Sequence, residues 1–152
     1  MINLEVIATV SNDRNDLRDD NWGSVVSKIT LHEGLSADLL LGLSAFSHVE
    51  VIFIFNQKMD TQGLSATRHP RNNTDWPKIG LLAQRSVHHP NPIGHTSAKI
   101  LRIKGKVLTV QGLDAVNGTP VLDIKPVFRE FLPDVIEQPN WVSELMANYW
   151  ES

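Results

Sequence analysis

The sequence predicts a mainly β fold, a closed β-barrel with short peripheral helices and a C-terminal helix. Two observations carry this. Short β-branched and aromatic runs recur along the chain between turn-forming residues, without the regular strand–helix alternation of a parallel sheet. The 152 residues, 41% hydrophobic and 20% charged, can bury a core without covalent staples. Residues 1–152 are therefore expected to form one domain, and no internal repeat or low-complexity segment divides them.

The elements follow in order. Leu4 to Val10 reads as the first strand. Ser11 to Asn21, rich in Asp and Asn, reads as a loop with nothing to bury, and Trp22 at its end is expected to staple it to the barrel. Val25 to Leu31 alternates as a second strand. Ser36 is placed to cap a short helix over 36–41, with Gly42 near its end. Phe46 to Gln57 has the apolar density of the most buried strand, with Asn56-Gln57 where polar amides can face a site. His48 near its start reads as a structural histidine. Residues 59–76 form a long irregular excursion, a length that usually signals function or disorder.

Ile79 to Ala83 and Ser97 to Ile103 are expected as strands flanking Gln84–His95. That loop holds one arginine, three histidines, two prolines and Gly94. Its prolines preclude a regular helix or strand interior. Lys104-Gly105 turns the second flanking strand into Val107–Gln111. Asp114 to Pro120, with Asn117-Gly118 at its tip, is a tight turn before the last strand, Val121 to Pro126. Asp123 and Lys125 share one face of that strand and suit an ion pair. Asn140 is placed to cap a helix reaching about residue 150, with Trp141, Leu145 and Tyr149 as an apolar stripe that needs something to cover.

Composition narrows the chemistry. The absence of cysteine excludes disulfides, thiolate metal sites and a cysteine nucleophile. No signal peptide is visible, and the run Val51–Phe55 is too short to span a bilayer, so a cytoplasmic protein without membrane association is expected. Glycine-rich phosphate loops and a GxSxG elbow are absent. The histidines lack a metal-binding spacing, and no metal is expected. Net charge is −3, yet residues 68–106 hold eight of the 14 basic residues and one of the 17 acids. Such a block suits an anion or a small nucleic-acid footprint. Arg68, His69 and Arg71, together with His89, are the candidate RNA-facing residues.

Two long stretches carry a resemblance. Ala83-Gln84-Arg85-Ser86 followed by His89-Pro90-Asn91-Pro92-Ile93-Gly94 resembles the A-T-R-S-x-x-R-P-N-P-I-G signature of the TsaA-like family, also called YaeB-like or TrmO-like. Asp114 to Pro126 is similar to its D-L-L-D-G-T-P-V-L-D-I-K-P signature. Phe46-Ser47-His48 and Phe53 to Gln57 resemble its F-S-H and F-x-F-H-Q strand. The resemblance spans roughly residues 4–133. It implies a dimeric β-barrel that uses S-adenosylmethionine to methylate N6 of threonylcarbamoyl-adenosine beside a tRNA anticodon.

Carried over by position, the family's cofactor contacts fall on Asn56, Gln57, Arg85, His95, Asp114, Asn117, Gly118 and Thr119. Arg85 would meet the cofactor's carboxylate, and a glycine at 118 would let backbone approach the ligand. The departures are Gln84, Asn56, Val127 and His89, the last replacing a permanent charge with a titratable one. Asp20-Asn21-Trp22 stands where the family has a P-R-Q cofactor contact. His69, His89 and Asp114 are all open as proton acceptors, so no catalytic residue is assigned. Three functions remain: tRNA methylation, methylation of another RNA or a small molecule, and a cofactor-binding barrel without transfer.

Overall fold

The computed structural model describes residues 1–56 and 63–152, which leaves the expected contact Gln57 outside the described residues. Six antiparallel strands close into a barrel: β1 (Ala8–Ser11), β2 (Val26–Leu31), β3 (His48–Ile54), β6 (Ile93–Lys104), β7 (Val107–Gln111) and β8 (Pro120–Pro126). The order around the ring is β1-β2-β7-β6-β3-β8, closed by β8 against β1. A two-stranded ribbon, β4 (Thr67–Arg68) with β5 (Ile79–Gly80), lies outside it.

Alternation makes the barrel. In β2 the side chains of Ser27, Ile29 and Leu31 point inward and those of Val26, Lys28 and Thr30 outward. In β3 Val49, Val51 and Phe53 are inside. With Val10, Leu108 and Val110 they form an almost fully water-excluded interior, the main driving force for closing the sheet. One mouth of the barrel is formed by the ends of β1, β3 and β7 and the starts of β2, β6 and β8.

Several expectations are corrected. The first strand starts at Ala8 rather than Leu4. Ile79 to Ala83 is not one strand: only Ile79–Gly80 pairs, and Leu81–Ala83 is a 3-10 turn that leaves Leu82 80% exposed. The strand after the proline loop begins at Ile93, because Pro92 ends the irregular backbone and Ile93 already pairs with Ile54. The capped segment after Ser36 is a 3-10 turn over Ala37–Leu40, where the Ser36 hydroxyl accepts from Asp38 N–H at 3.1 Å. His48 is exposed and bonded to Ser47 at 2.6 Å. The helix α1 spans Asn140–Leu145 only. Its N-cap is Pro139, so Asn140 is the first helical residue and not the cap. The Asp123–Lys125 ion pair forms at 2.8 Å.

The largest correction concerns residues 11–21. This loop is built around Arg14, which is 7% exposed. The Arg14 guanidinium donates to the carbonyls of Arg18, Asp20 and Asn21 at 3.0, 2.7 and 3.0 Å and to Asp16 at 2.9 Å. It also lies 3.9 Å from the centroid of the Trp22 ring, a cation–π contact strengthened by exclusion of water. Trp22 is buried at 4% exposure, which agrees with its expected stapling role. Asn117 fastens the loop to the turn before β8: its side-chain oxygen accepts from Asn12 N–H at 3.1 Å, and its backbone N–H donates to the Arg14 carbonyl at 2.7 Å.

Replacing Arg14 by Met keeps an apolar stem but leaves three carbonyls without their donors. The expected loss is about 2–4 kcal/mol of stability, read as a lower urea midpoint. Arg14→Lys should recover little of it, because an ammonium cannot reproduce the guanidinium fork.

Candidate functional site

Two adjoining cavities open at this mouth. The larger, about 250 Å³, is mostly apolar, with Leu17, Trp22, Phe55, Val116 and Tyr149 in its wall and the Asn56 amide at its edge. The smaller, about 140 Å³, is bounded by Arg85, His89, Gly94, His95 and Thr96. Phe55 and Asp114 belong to both walls.

Asp114 is the polar centre of this cleft. One carboxylate oxygen accepts from the Thr96 hydroxyl at 2.5 Å, and the other accepts from the Tyr149 hydroxyl. Short bonds from hydroxyls to a carboxylate are among the stronger hydrogen bonds, and together they fix the carboxylate plane between the cavities. Arg85 lies in the wall of the smaller cavity, where its guanidinium donates to the His95 carbonyl. A cation and an anion thus flank one small space beside an apolar one.

The proline loop is held by side chains. Gln84 is buried and donates to the carbonyls of Arg68 and Ile79 at 3.0 and 3.2 Å, tying the outer ribbon to the loop. His89 donates its Nε2–H to the Gln84 carbonyl at 2.8 Å. His88, in the larger wall, has its pKa lowered by burial and then by the nearby Arg68 charge.

Of the residues singled out from sequence, the structure brings Asn56, Asp114 and Thr119 to the larger cavity and Arg85, His89, His95 and Asp114 to the smaller. Asn117 and Gly118 line neither. Gly118 occupies a left-handed conformation, φ 88°, which the turn requires and glycine adopts without strain. Arg68, His69 and Arg71 also line neither. Arg68 donates to Asn72 at 2.8 Å, His69 donates Nδ1–H to the Trp76 carbonyl at 2.7 Å, and Arg71 pairs with Asp20 at 3.0 Å and Asp19 at 3.8 Å.

Tyr149 is the residue sequence reasoning missed. It was legible only as part of a stripe that needed covering. The tail docks by backbone: Asn21, Trp22 and Gly23 donate their N–H groups to the carbonyls of Asn148, Tyr149 and Glu151 at 3.1, 2.8 and 3.1 Å. Trp76 braces α1 through an Nε1–H bond to Glu144 at 2.8 Å. The Tyr149 side chain therefore reaches over the mouth to Asp114.

A closed antiparallel barrel with a two-lobed cleft at one mouth, Arg85 beside the smaller lobe, Trp22 and Tyr149 beside the larger and Asp114 between them, defines the class. Within that class the chain belongs to the family described as the tRNA-methyltransferase O N-terminal domain, whose model matches residues 18–132. Among its relatives, the tRNA (adenine(37)-N6)-methyltransferase of Homo sapiens is 37% identical over 110 residues, which are 72% of this chain and 23% of that protein. A protein of Archaeoglobus fulgidus named for S-adenosyl-L-methionine binding is 57% identical over 47 residues, 31% of this chain and 13% of its own length. The chain thus spans less than a quarter of either relative. The crystal structure of TrmO from Pseudomonas aeruginosa superposes with a TM-score of 0.74 at 22% identity, over 93% of this chain and 62% of that one. That likeness bears on the fold. No helix among the described residues is long and apolar enough to cross a membrane.

Two outcomes are expected. Tyr149 is the single tyrosine, so phenolate absorbance reads it alone. Burial, and then the Asp114 carboxylate, push its pKa well above the ordinary value of about 10. A raised pKa means that this contribution to stability is complete below pH about 10 and is lost as pH rises further. The phenolate signal should be delayed until the fold is lost, and Asp114→Asn should bring it down. In the second, Gly23→Ala would place a Cβ 1.8 Å from the Trp150 carbonyl oxygen. Limited proteolysis should then cut after residue 139 while the barrel stays protected.

Proposed function

We propose that this barrel is an S-adenosylmethionine-dependent methyltransferase that modifies N6 of threonylcarbamoyl-adenosine beside the anticodon of tRNA. The observation that carries the reading is the placing of Arg85 and Asp114 on one small cavity next to an aromatic-lined one. The cofactor has matching parts: a zwitterionic amino-acid end, a sulfonium and a flat adenine ring. Bound there, S-adenosylmethionine supplies an electrophilic methyl group.

The chain's own residues have separable tasks in this reading. Arg85 receives the carboxylate, for which a guanidinium fork is suited. Asp114, held by Thr96 and Tyr149, faces the cationic part. Trp22, Phe55 and Val116 exclude water around the ring, and Asn56 offers an amide to its edge. Gln57, His95 and Thr119 complete the cofactor contacts, and the turn residues Asn117 and Gly118 act by holding Asp114 and Thr119 in place. His89 faces the acceptor side.

The names of the human and archaeal relatives support methylation of tRNA and the cofactor. We also place the protein in the cytoplasm, with residues 1–152 folding as one domain that self-associates as a homodimer. The exposed apolar side chains of Phe131, Val135 and Ile136 favour self-association. A barrel that binds the cofactor without transferring a methyl group is the second reading, favoured by Asn56 and His89 standing where the family resemblance expects His and Arg.

Calorimetric titration with S-adenosylmethionine and S-adenosylhomocysteine tests the site. Arg85→Ala should weaken both by at least about tenfold, the worth of a charge-assisted contact. Unchanged affinity would remove Arg85 from the site. Incubation with labelled cofactor and tRNA from cells lacking this protein then separates the readings: tight binding without transfer would support the second.

A further inference from the structure

The barrel wall carries a feature that the cleft does not explain. β2, β7 and β6 are neighbours in the ring, and their 23 residues include no aspartate or glutamate. The same strands present Lys28, Lys99, Arg102 and Lys104, and the β6–β7 turn adds Lys106. Register places them together. Lys28 and Arg102 both flank Thr109 in one cross-strand row. Lys99 is opposite Gln111, and Lys104 is opposite Val107. The irregular register between Ile100 and Arg102 keeps Lys99, Arg102 and Lys104 on the same outward face. All four strand residues are exposed. Among the described residues none of the five forms an ion pair, a state they share with Arg68, Lys78, Arg85 and Arg129, whereas Arg14, Arg18, Arg71 and Lys125 are paired. In a chain of net charge −3, a face with five cations and no acid concentrates positive potential.

We infer that this β2–β7–β6 wall is a docking surface for the phosphate backbone of a structured RNA. The inference rests on the tRNA reading above and deepens it. β6 links the two regions: its first residues, Gly94 to Thr96, line the smaller cavity, and Arg102 is six residues further on, about 20 Å along an extended strand. An RNA with one nucleotide in the cleft can lay the phosphates of its flanking helix along the cations of the same strand. Phosphate contacts of this kind position a substrate without reading its sequence. The rows match a polyanion better than a single anion, because the cations are spread over β2, β6 and the β6–β7 turn, on both sides of β7.

The test is fluorescence anisotropy with unfractionated tRNA as the probe, at several salt concentrations. The variant carries Lys28→Gln, Lys99→Gln, Arg102→Gln and Lys104→Gln, and a control carries Arg129→Gln. All these positions are exposed, and circular dichroism checks the fold. The expected result is on the order of tenfold or greater loss of tRNA affinity at low salt. The salt dependence should also become shallower, by about 0.7–0.9 in slope per phosphate contact removed. S-adenosylmethionine affinity, titrated separately, should be unchanged, and the control should match wild type. Equal tRNA affinity and slope in the fourfold variant would overturn the wall as an RNA surface while leaving the tRNA reading intact. Wild type that binds the cofactor but no tRNA, even at low salt, would overturn the wall and leave the cofactor site standing. A change in oligomeric state without loss of tRNA affinity would assign the wall to a protein partner and overturn the RNA surface.

Discussion

The contact between the Arg14 guanidinium and the Trp22 ring, with the carbonyls gathered around the same guanidinium, is the constraint on which the cleft depends. An isolated buried cation would be costly. Here the charge is spread over several acceptors and an aromatic face. The contact turns an acidic, polar loop into a rigid ledge. The ledge presents three consecutive N–H groups, those of Asn21, Trp22 and Gly23, to the C-terminal tail. The tail in turn places the Tyr149 hydroxyl on Asp114. Arg14 touches neither cavity, yet the chain of contacts from it ends on the carboxylate that both cavities share.

Much of the barrel was legible because strand alternation and turn chemistry agree. Val25 to Leu31 alternates, Lys104-Gly105 and Asn117-Gly118 punctuate, and the apolar density of Val49 to Phe53 marks the core. The misread segments are those where local pattern and tertiary surroundings conflict. Ile79 to Ala83 is apolar enough for a strand, but the ribbon it joins offers only two partners, so the chain turns and exposes Leu82. Arg14 was hidden because an arginine among aspartates in a polar loop looks solvated. Its burial follows from Trp22, several residues away, folding back over it.

The cleft was readable in part for a different reason. Arg85, Asp114 and Asn56 belong to contiguous stretches, so similarity of pattern located them. Tyr149 lies outside residues 18–132 matched by the family model, and its role arises from a contact 35 positions away in sequence. The charge block over 68–106 was a sound signal of basic surface, but sequence order divides it differently from space. Arg71 is neutralised by Asp19 and Asp20, and Lys28, from outside the block, joins Arg102 across β7.

The closure of the ring has a mechanical meaning. β1 meets β8 through two ladder pairs, one at Pro120, which has no N–H to give, and three more backbone bonds tie Ile7 to Val121 and Val10 to Thr119 and Gly118. That seam is the thinnest part of the wall, and the turn carrying Asp114 and Thr119 leads directly into it. On the opposite side of the ring, β6 and β7 pair along a hairpin. The barrel therefore has a sparsely laddered side and a densely laddered one. Few ladder pairs mean that local opening costs less at the seam than along the hairpin. The lysines thus stand on the side of the ring with the longer ladder.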